Sequence, residues 1–114
     1  MILGARPRRV DVMQIDDICE LLPTPKTTLY YDPDGRCESA YVQLRTGRPV
    51  KKVEPDPRYL VSVYFGVGEV PIGIRMSECA PDSVLLRALE MCKDATAGLV
   101  MQVREAGSRL DFAA

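Results

Sequence analysis

The residue types present in this chain limit the catalytic and metal-binding sites that it can form. There is no histidine among the 114 residues, which excludes serine–histidine and cysteine–histidine dyads, the commonest general base and imidazole metal ligands. The four cysteines lie far apart, at Cys19, Cys37, Cys79 and Cys92, and no two form the C-x-x-C pair that zinc sites use. We therefore expect thiols without a disulfide, no bound metal and no cofactor.

Four carboxylates could supply acid–base or metal chemistry if the fold brought them together. They are Asp32, Asp34, Glu54 and Asp56, and each is next to proline or glycine in a predicted turn. An acid–base pair would need two of them in a shared, partly buried site. A calcium loop would need further oxygen ligands at regular spacing, and only Glu38 follows nearby. Solvent-facing turn residues are the favoured interpretation, and we predict that the protein is not an enzyme.

A group of aromatic, apolar and cationic side chains is the best candidate for binding. If the strands alternate, Tyr30, Tyr41, Arg45, Leu60, Tyr64 and Arg75 share the outer face of a sheet. Tyrosine and arginine are typical of protein interfaces, and they also stack on single-stranded nucleic acid. A net charge of −1 gives no overall attraction to a polyanion, so a protein partner is favoured over nucleic acid. The remaining interpretation is cross-strand pairing that only stabilises the sheet, or cover by an N-terminal helix.

The strands that carry these residues are organised around the segment from Arg58 to Met76. Apolar residues alternate in both of its halves: Tyr59, Val61, Val63 and Phe65, then Val70, Ile72, Ile74 and Met76. The short, glycine-rich Gly66-Val67-Gly68-Glu69 between them predicts a tight β-hairpin.

Three further strands are predicted before this hairpin. Thr27–Tyr31 begins the sheet, and Ser39–Arg45 alternates with Ala40, Val42 and Leu44 inward. Arg48–Glu54 has a weaker pattern that is interrupted by two lysines, which is typical of an edge strand. Residues 27–76 are therefore predicted to form an antiparallel meander of about five strands.

Helical periodicity is found on both sides of the predicted sheet. Residues 10–22 carry apolar residues at three- and four-residue spacing and end at Pro23-Thr24-Pro25, while residues 1–9 form an irregular, flexible start. Residues 81–106 predict a long amphipathic helix whose heptad stripe continues to the C-terminus: Leu85, Leu89, Cys92, Thr96, Leu99, Val103, Ala106 and Leu110.

The length of the second helix suggests a dimer. About 25 helical residues span ~37 Å, whereas a seven-residue strand covers ~23 Å. Leu99, Val103 and Leu110 would then be exposed in a monomer and would pair two copies. The alternative is a break near Gly98 that folds the far half back onto the domain.

Length and composition indicate one soluble globular domain over residues 1–114. Hydrophobic residues make up 46% and charged residues 27%, which disfavours extended disorder. No apolar run approaches the ~20 residues of a membrane helix. Arginines follow only a short apolar start, the reverse of a signal peptide, so a cytoplasmic location is expected. The predicted fold class is α+β, with the long C-terminal helix packed on one face of the meander.

Three short motifs follow one another in the predicted sheet. They are Tyr31-Asp32-Pro33, Ala40-Tyr41-Val42-Gln43-Leu44 and Ile72-Gly73-Ile74-Arg75-Met76. Their succession resembles a small bacterial family, domain of unknown function 2283, whose members read YDP, then LYIRL, and later a hairpin ending in GIEI. The resemblance covers residues 29–78. The chain departs from the family in a longer segment before AYVQL and in the glycine-rich hairpin turn.

The resemblance implies a small β domain without an established activity, some members of the family being similar to the antitoxin half of two-gene toxin–antitoxin pairs. Together with the residues above, it leads to one leading hypothesis. The protein is predicted to be a non-enzymatic interaction module that binds a protein partner and self-associates as a homodimer. The alternative is an antitoxin-like or nucleic-acid-associated regulatory protein.

Overall fold

The computed structural model describes residues 18–77, 80–92 and 97–110, and of Ala97 only the backbone. Within these ranges the chain forms five strands and two helices: β1 (Leu21–Tyr31), β2 (Cys37–Arg45), β3 (Lys51–Val53), β4 (Val61–Gly66), β5 (Val70–Met76), α1 (Asp82–Met91) and α2 (Ala97–Ser108). All strand pairs are antiparallel. The predicted α+β class and antiparallel sheet are confirmed, whereas the predicted start at residues 1–9 lies outside the described residues.

The predicted hairpin is confirmed as β4 and β5, and β5 is the central strand of the sheet. The strand order is β1-β2-β5-β4-β3. The predicted five antiparallel strands are present, but the predicted meander order is wrong, because β2 pairs with β5 and not with β3. The reason lies in burial: β5 is buried from Pro71 to Ile74 and needs a neighbour on each side. Strand β3 has only three residues, with Lys51 and Lys52 exposed, which suits an edge.

The predicted N-terminal helix is wrong where the structure describes it. Leu21 and Leu22, assigned to the end of that helix, begin β1, and residues 10–17 lie outside the described residues. Pro23 and Pro25 do not precede the sheet but lie within β1, where the pairing with β2 shifts between Leu21 and Lys26. Because β1 is an edge strand, the missing proline amides need not interrupt a ladder.

The two helices form one layer on one face of the sheet, with α2 against β1 and β2 and α1 against β4. The prediction of one long helix is wrong, because α1 ends at Met91 and Cys92 is extended, with φ −94° and ψ 94°. Helix α2 begins at Ala97, one residue before Gly98. The alternative of a break near Gly98 that folds the far half back onto the domain is therefore confirmed, since Leu99 and Val103 are buried in the same core. Two short helices can lie side by side over the strands, whereas one continuous helix would extend beyond them.

The core lies between this helical layer and the sheet. Val42, Val63 and Ile74 from the strands are fully buried. Leu99 and Val103 are also 0% exposed and Leu110 is 5% exposed, so the prediction that these three are exposed in a monomer is wrong. They contribute to the domain's own core and are not accessible to a second copy.

Neither described helix has the dimensions of a membrane span. Helices α1 and α2 contain 10 and 12 residues, against the ~20 apolar residues that a bilayer requires. Within residues 18–77, 80–92 and 97–110, no helix is long and apolar enough to cross a membrane.

Candidate functional site

The face of the sheet opposite the helices contains a depression of about 340 Å³. It is lined by Tyr30, Tyr41, Gln43, Gly47, Pro49, Tyr64 and Arg75, and we call it the tyrosine depression. Strands β1, β2, β4 and β5 supply its side chains, and the loop between β2 and β3 closes one side. Four residues that sequence parity places on the outer face are therefore brought together here.

Strand register explains why these side chains meet. Tyr41 of β2 is paired with Arg75 of β5, and Tyr64 of β4 is paired with Gly73 of β5. Directly paired residues point to the same face, so the three strands present their side chains side by side. Tyr30 joins from β1, where it is paired with Ser39.

The floor of the tyrosine depression depends on Gly73. A Cβ built on this glycine would overlap the Tyr41 ring, which means that the ring lies directly over the backbone of β5. The ring meets Tyr64 edge to face, with centroids 5.8 Å apart and planes at 73°, an arrangement that aromatic pairs prefer. The glycine was not among the residues predicted for the site, although a glycine inside an apolar strand often marks such a close approach.

The chemistry of the tyrosine depression is that of neutral donors beside one cation. Burial, followed by the neighbouring Tyr64, Tyr30 and Cys92, raises the pKa of Tyr41 to about 12. Its hydroxyl therefore stays protonated near neutral pH and can donate a hydrogen bond. Arg75 lies over the Tyr30 ring, 5.4 Å from its centroid, and Nη2 donates to Ser39 Oγ at 3.4 Å. These contacts hold the guanidinium at the rim.

The other two predicted site residues lie outside the tyrosine depression. Arg45 donates through Nη1 to the carbonyl of Pro71 at 2.9 Å, so it braces β2 against β5. Leu60 is exposed and directly precedes the first residue of β4. Its carbonyl accepts the amide of Ser77, the residue after β5, so Leu60 lies at the end of the β4–β5 hairpin away from the turn. Gly47 and Pro49 were missed, since parity within strands gives no information on where a loop folds.

The carboxylates do not gather into a catalytic or metal site. Asp32 Oδ1 accepts the amides of Asp34 and Arg36, each at 2.9 Å, and so closes the turn between β1 and β2. Asp34 and Glu54 face solvent as predicted. Across the part of the chain that the structure describes, no three cysteine, aspartate or glutamate side chains form a group that could hold a metal ion.

Asp56 departs from the prediction, because it is 5% exposed rather than solvated. Its carboxylate accepts the Arg58 amide at 3.0 Å and the Arg58 guanidinium at 3.1 and 2.8 Å. Arg87 of α1 lies 3.8 Å away. The side-chain hydrogen bond from Arg58, then its amide, then the two positive charges lower the pKa of Asp56 to about 2. The aspartate thus joins the loop before β4 to α1.

This pairing predicts an acid-sensitive contact. A carboxyl whose pKa falls from 3.8 in the unfolded chain to about 2 in the folded chain stabilises the fold above pH ~4, and the stabilisation is lost between pH ~4 and ~2. Asp56→Asn should therefore have a lower thermal midpoint than the unaltered chain at pH 6. The difference should shrink as the pH falls to 2. Equal midpoints at pH 6, measured by circular dichroism, would contradict this assignment.

Two of the three described cysteines are packing residues, whereas Cys19 is half-buried. Cys37 and Cys92 are buried in the core, and burial raises the pKa of the Cys92 thiol to about 11. A protonated, inaccessible thiol is a poor nucleophile. Cys37 is as inaccessible as Cys92, so neither of these two buried thiols is exposed for reaction with a substrate.

Fold and site together define a small α+β domain with helices on one face of its sheet and an aromatic depression on the other. Compared with known protein families, curated proteins and solved structures, the chain matches none of them.

Proposed function

We propose that the protein is a non-catalytic interaction module that binds a protein partner through the tyrosine depression. The observation that carries this proposal is the convergence of Tyr30, Tyr41, Tyr64 and Arg75 from four strands on one recess. Tyrosine and arginine are the residue types that most often dominate binding energy at protein interfaces. Strands also hold them more firmly than loops would, which reduces the entropy lost on binding.

The chemistry of the recess indicates what the partner presents. Arg75 is exposed at the rim, where a carboxylate can pair with its guanidinium. The protonated Tyr41 hydroxyl can donate a second hydrogen bond, and the aromatic rings offer apolar contact. A partner segment with an acidic residue next to an apolar one fits this arrangement.

Site-specific photo-crosslinking tests the proposal. A photoreactive amino acid at Tyr30, which is 43% exposed, is compared with the same amino acid at Leu86, which is 50% exposed on α1. We expect one identified protein to be captured in cells from position 30 and not from position 86. With that protein purified, Arg75→Ala should weaken binding about tenfold or more, in line with interfacial arginines, and Arg75→Lys less. Equal capture at both positions would contradict the proposal.

A regulatory protein that binds nucleic acid is the second candidate, favoured by the placement of Arg75 against an aromatic ring. The edge-to-face contact of Tyr41 and Tyr64 is less suited to base stacking than two parallel platforms would be. Fluorescence anisotropy with labelled single-stranded oligonucleotides separates the two functions. Binding that weakens with salt and with Tyr30→Ser would favour this candidate.

An antitoxin-like role, suggested by the resemblance to the family of unknown function, is a special case of partner binding. The protein would then neutralise the product of a neighbouring gene. Co-expression should relieve growth arrest caused by that product, and Arg75→Ala should reduce the relief. Relief that is unaffected by Arg75→Ala would place the contact elsewhere on the domain.

A further inference from the structure

The two edges of the sheet are built differently. Strand β3 is a three-residue edge with two exposed lysines, a pattern that discourages pairing with another sheet. Strand β1 is an eleven-residue edge, and among the described strands it pairs only with β2. Its segment Thr27–Tyr31 contains no charge and no proline, which leaves it suited to accept another strand.

We propose that β1 pairs with β1 of a second copy, antiparallel about a two-fold axis at Leu29, to join two five-stranded sheets into one. An axis normal to the sheet keeps both helical layers on the same side, so each face continues across the junction. The paired edge includes Tyr30, which also lines the tyrosine depression, but the side-chain contacts that select the register are made by other residues of β1 and its turn. The proposal therefore does not rest on the proposed function.

Charge complementarity selects this register. With Leu29 opposite its own copy, Lys26 lies opposite Asp32 of the other copy, and symmetry repeats the pair. Opposite charges directly across two strands stabilise the pairing, whereas like charges destabilise it. An axis at Thr28 would instead place Lys26 opposite Tyr30 and Asp32 opposite Thr24, without a charge pair. Asp32 directly follows the end of β1, and the hydrogen bonds that its Oδ1 accepts from Asp34 and Arg36 fix its side chain in the turn.

Shape supports the same register. A depression of about 220 Å³ lies between β1 and α2, and we call it the edge depression; it is lined by Thr27, Leu29, Gln102, Glu105, Ala106 and Arg109. Its wall is held by a 2.7 Å hydrogen bond from the Thr27 hydroxyl to Gln102 Oε1. The proposed pairing places Tyr31 of the second copy opposite Thr27, at this depression.

Tyr31 has the properties that such a contact requires. It is 58% exposed in the single chain. It is paired with Cys37, which belongs to the core between sheet and helices, so Tyr31 points to the helical side. Each copy would therefore insert one exposed tyrosine into the edge depression of the other, and the two contacts are equivalent by symmetry.

Sedimentation equilibrium of the full chain tests the proposal. The expected species has twice the chain mass of 12.7 kDa. Lys26→Glu places like charges opposite each other at two symmetric sites and should weaken the dimer about tenfold. Salt near 1 M should restore much of the loss, since the Debye length falls to ~3 Å. Lys52→Glu, which changes a lysine on the β3 edge, is the matched control and should leave the dimer unchanged.

Two further variants test the contact and the register. Tyr31→Ser should weaken the dimer while Tyr31→Phe retains it, and circular dichroism verifies that both variants fold. Leu29→Cys should form a disulfide between copies on mild oxidation, because only residue 29 lies opposite itself. A chain that stays monomeric at about 100 μM, or a dimer that is indifferent to Lys26→Glu and Tyr31→Ser, would overturn the proposal.

Discussion

Replacing Leu99 with alanine is expected to lower the free energy of unfolding by about 2–5 kcal/mol, the range for a large aliphatic residue removed from a packed core. Leu99 is 0% exposed in the single chain and belongs to the cluster between the helices and the sheet. Urea denaturation followed by circular dichroism measures the loss. The loss arises within one domain, so it should persist at protein concentrations too low for any dimer.

Met101 offers a matched control in the same helix. It lies two residues from Leu99 and is 70% exposed, so Met101→Ala should change the free energy of unfolding by no more than about 0.5 kcal/mol. Leu99→Ala could lower the free energy of unfolding no more than Met101→Ala in dilute solution, but lower it strongly at high protein concentration. Leu99 would then belong to an interface between copies. That outcome would contradict the packing of α2 on its own sheet.

Replacing Gly73 with alanine is expected to destabilise the fold by about 1–3 kcal/mol, as overpacking of a buried site does. The added Cβ would overlap the Tyr41 ring, so either the ring or β5 has to move. The tyrosine depression should change with it, because Tyr41 forms its floor. Urea denaturation gives the energy, and tyrosine fluorescence reports the movement of the ring.

A double-mutant cycle isolates this clash from other effects of the substitution. In a Tyr41→Ala background the overlapping ring is gone, and Gly73→Ala should then be neutral or stabilising, since alanine is favoured over glycine inside a strand by roughly 0.5–1 kcal/mol. A coupling energy of about 1–3 kcal/mol between the two positions is expected. Equal effects of Gly73→Ala in both backgrounds would show that the ring does not constrain this glycine.

Alternation along the chain was sufficient to predict the central hairpin and the faces of its residues up to the register shift after Tyr64. Val63 and Ile74 are buried while Tyr64 and Arg75 share the other face, as strand parity requires. Parity gives no information on which strands are neighbours. The pairing of Val42 with Ile74 depends on burying β5 from both sides, and this is a property of the whole sheet.

Helical spacing misled in two places for different physical reasons. Leu22 fits the end of a three- and four-residue pattern, yet it lies in β1, where pairing with β2 outweighs that local preference. The heptad from Leu85 to Leu110 continues through the end of α1 because both helices turn their apolar faces to the same sheet. A regular stripe is therefore compatible with two helices as well as with one.

The tyrosine depression could be predicted only in part. Residue type and parity identified Tyr30, Tyr41, Tyr64 and Arg75 correctly, whereas the predicted Arg45 and Leu60 lie outside the recess. Depth comes from the glycine at position 73 and from the loop before β3, which bring together positions distant in sequence. Which of these positions become neighbours depends on the register between strands, and the pattern of a single strand does not contain that register.

The strand order has a consequence for synthesis of the chain on the ribosome. Strand β2 is synthesised before β3 and β4, but its second neighbour in the sheet is β5. Gln43 cannot pair with Gly73 until the chain between them has been made. At translation rates of about 5–20 residues per second, synthesis from Gln43 to Gly73 takes about 2–6 s. During that interval Ala40, Val42 and Leu44 have neither β5 nor the helices to cover them, so the nascent β1–β2 hairpin is the stage at which a chaperone would have most to protect.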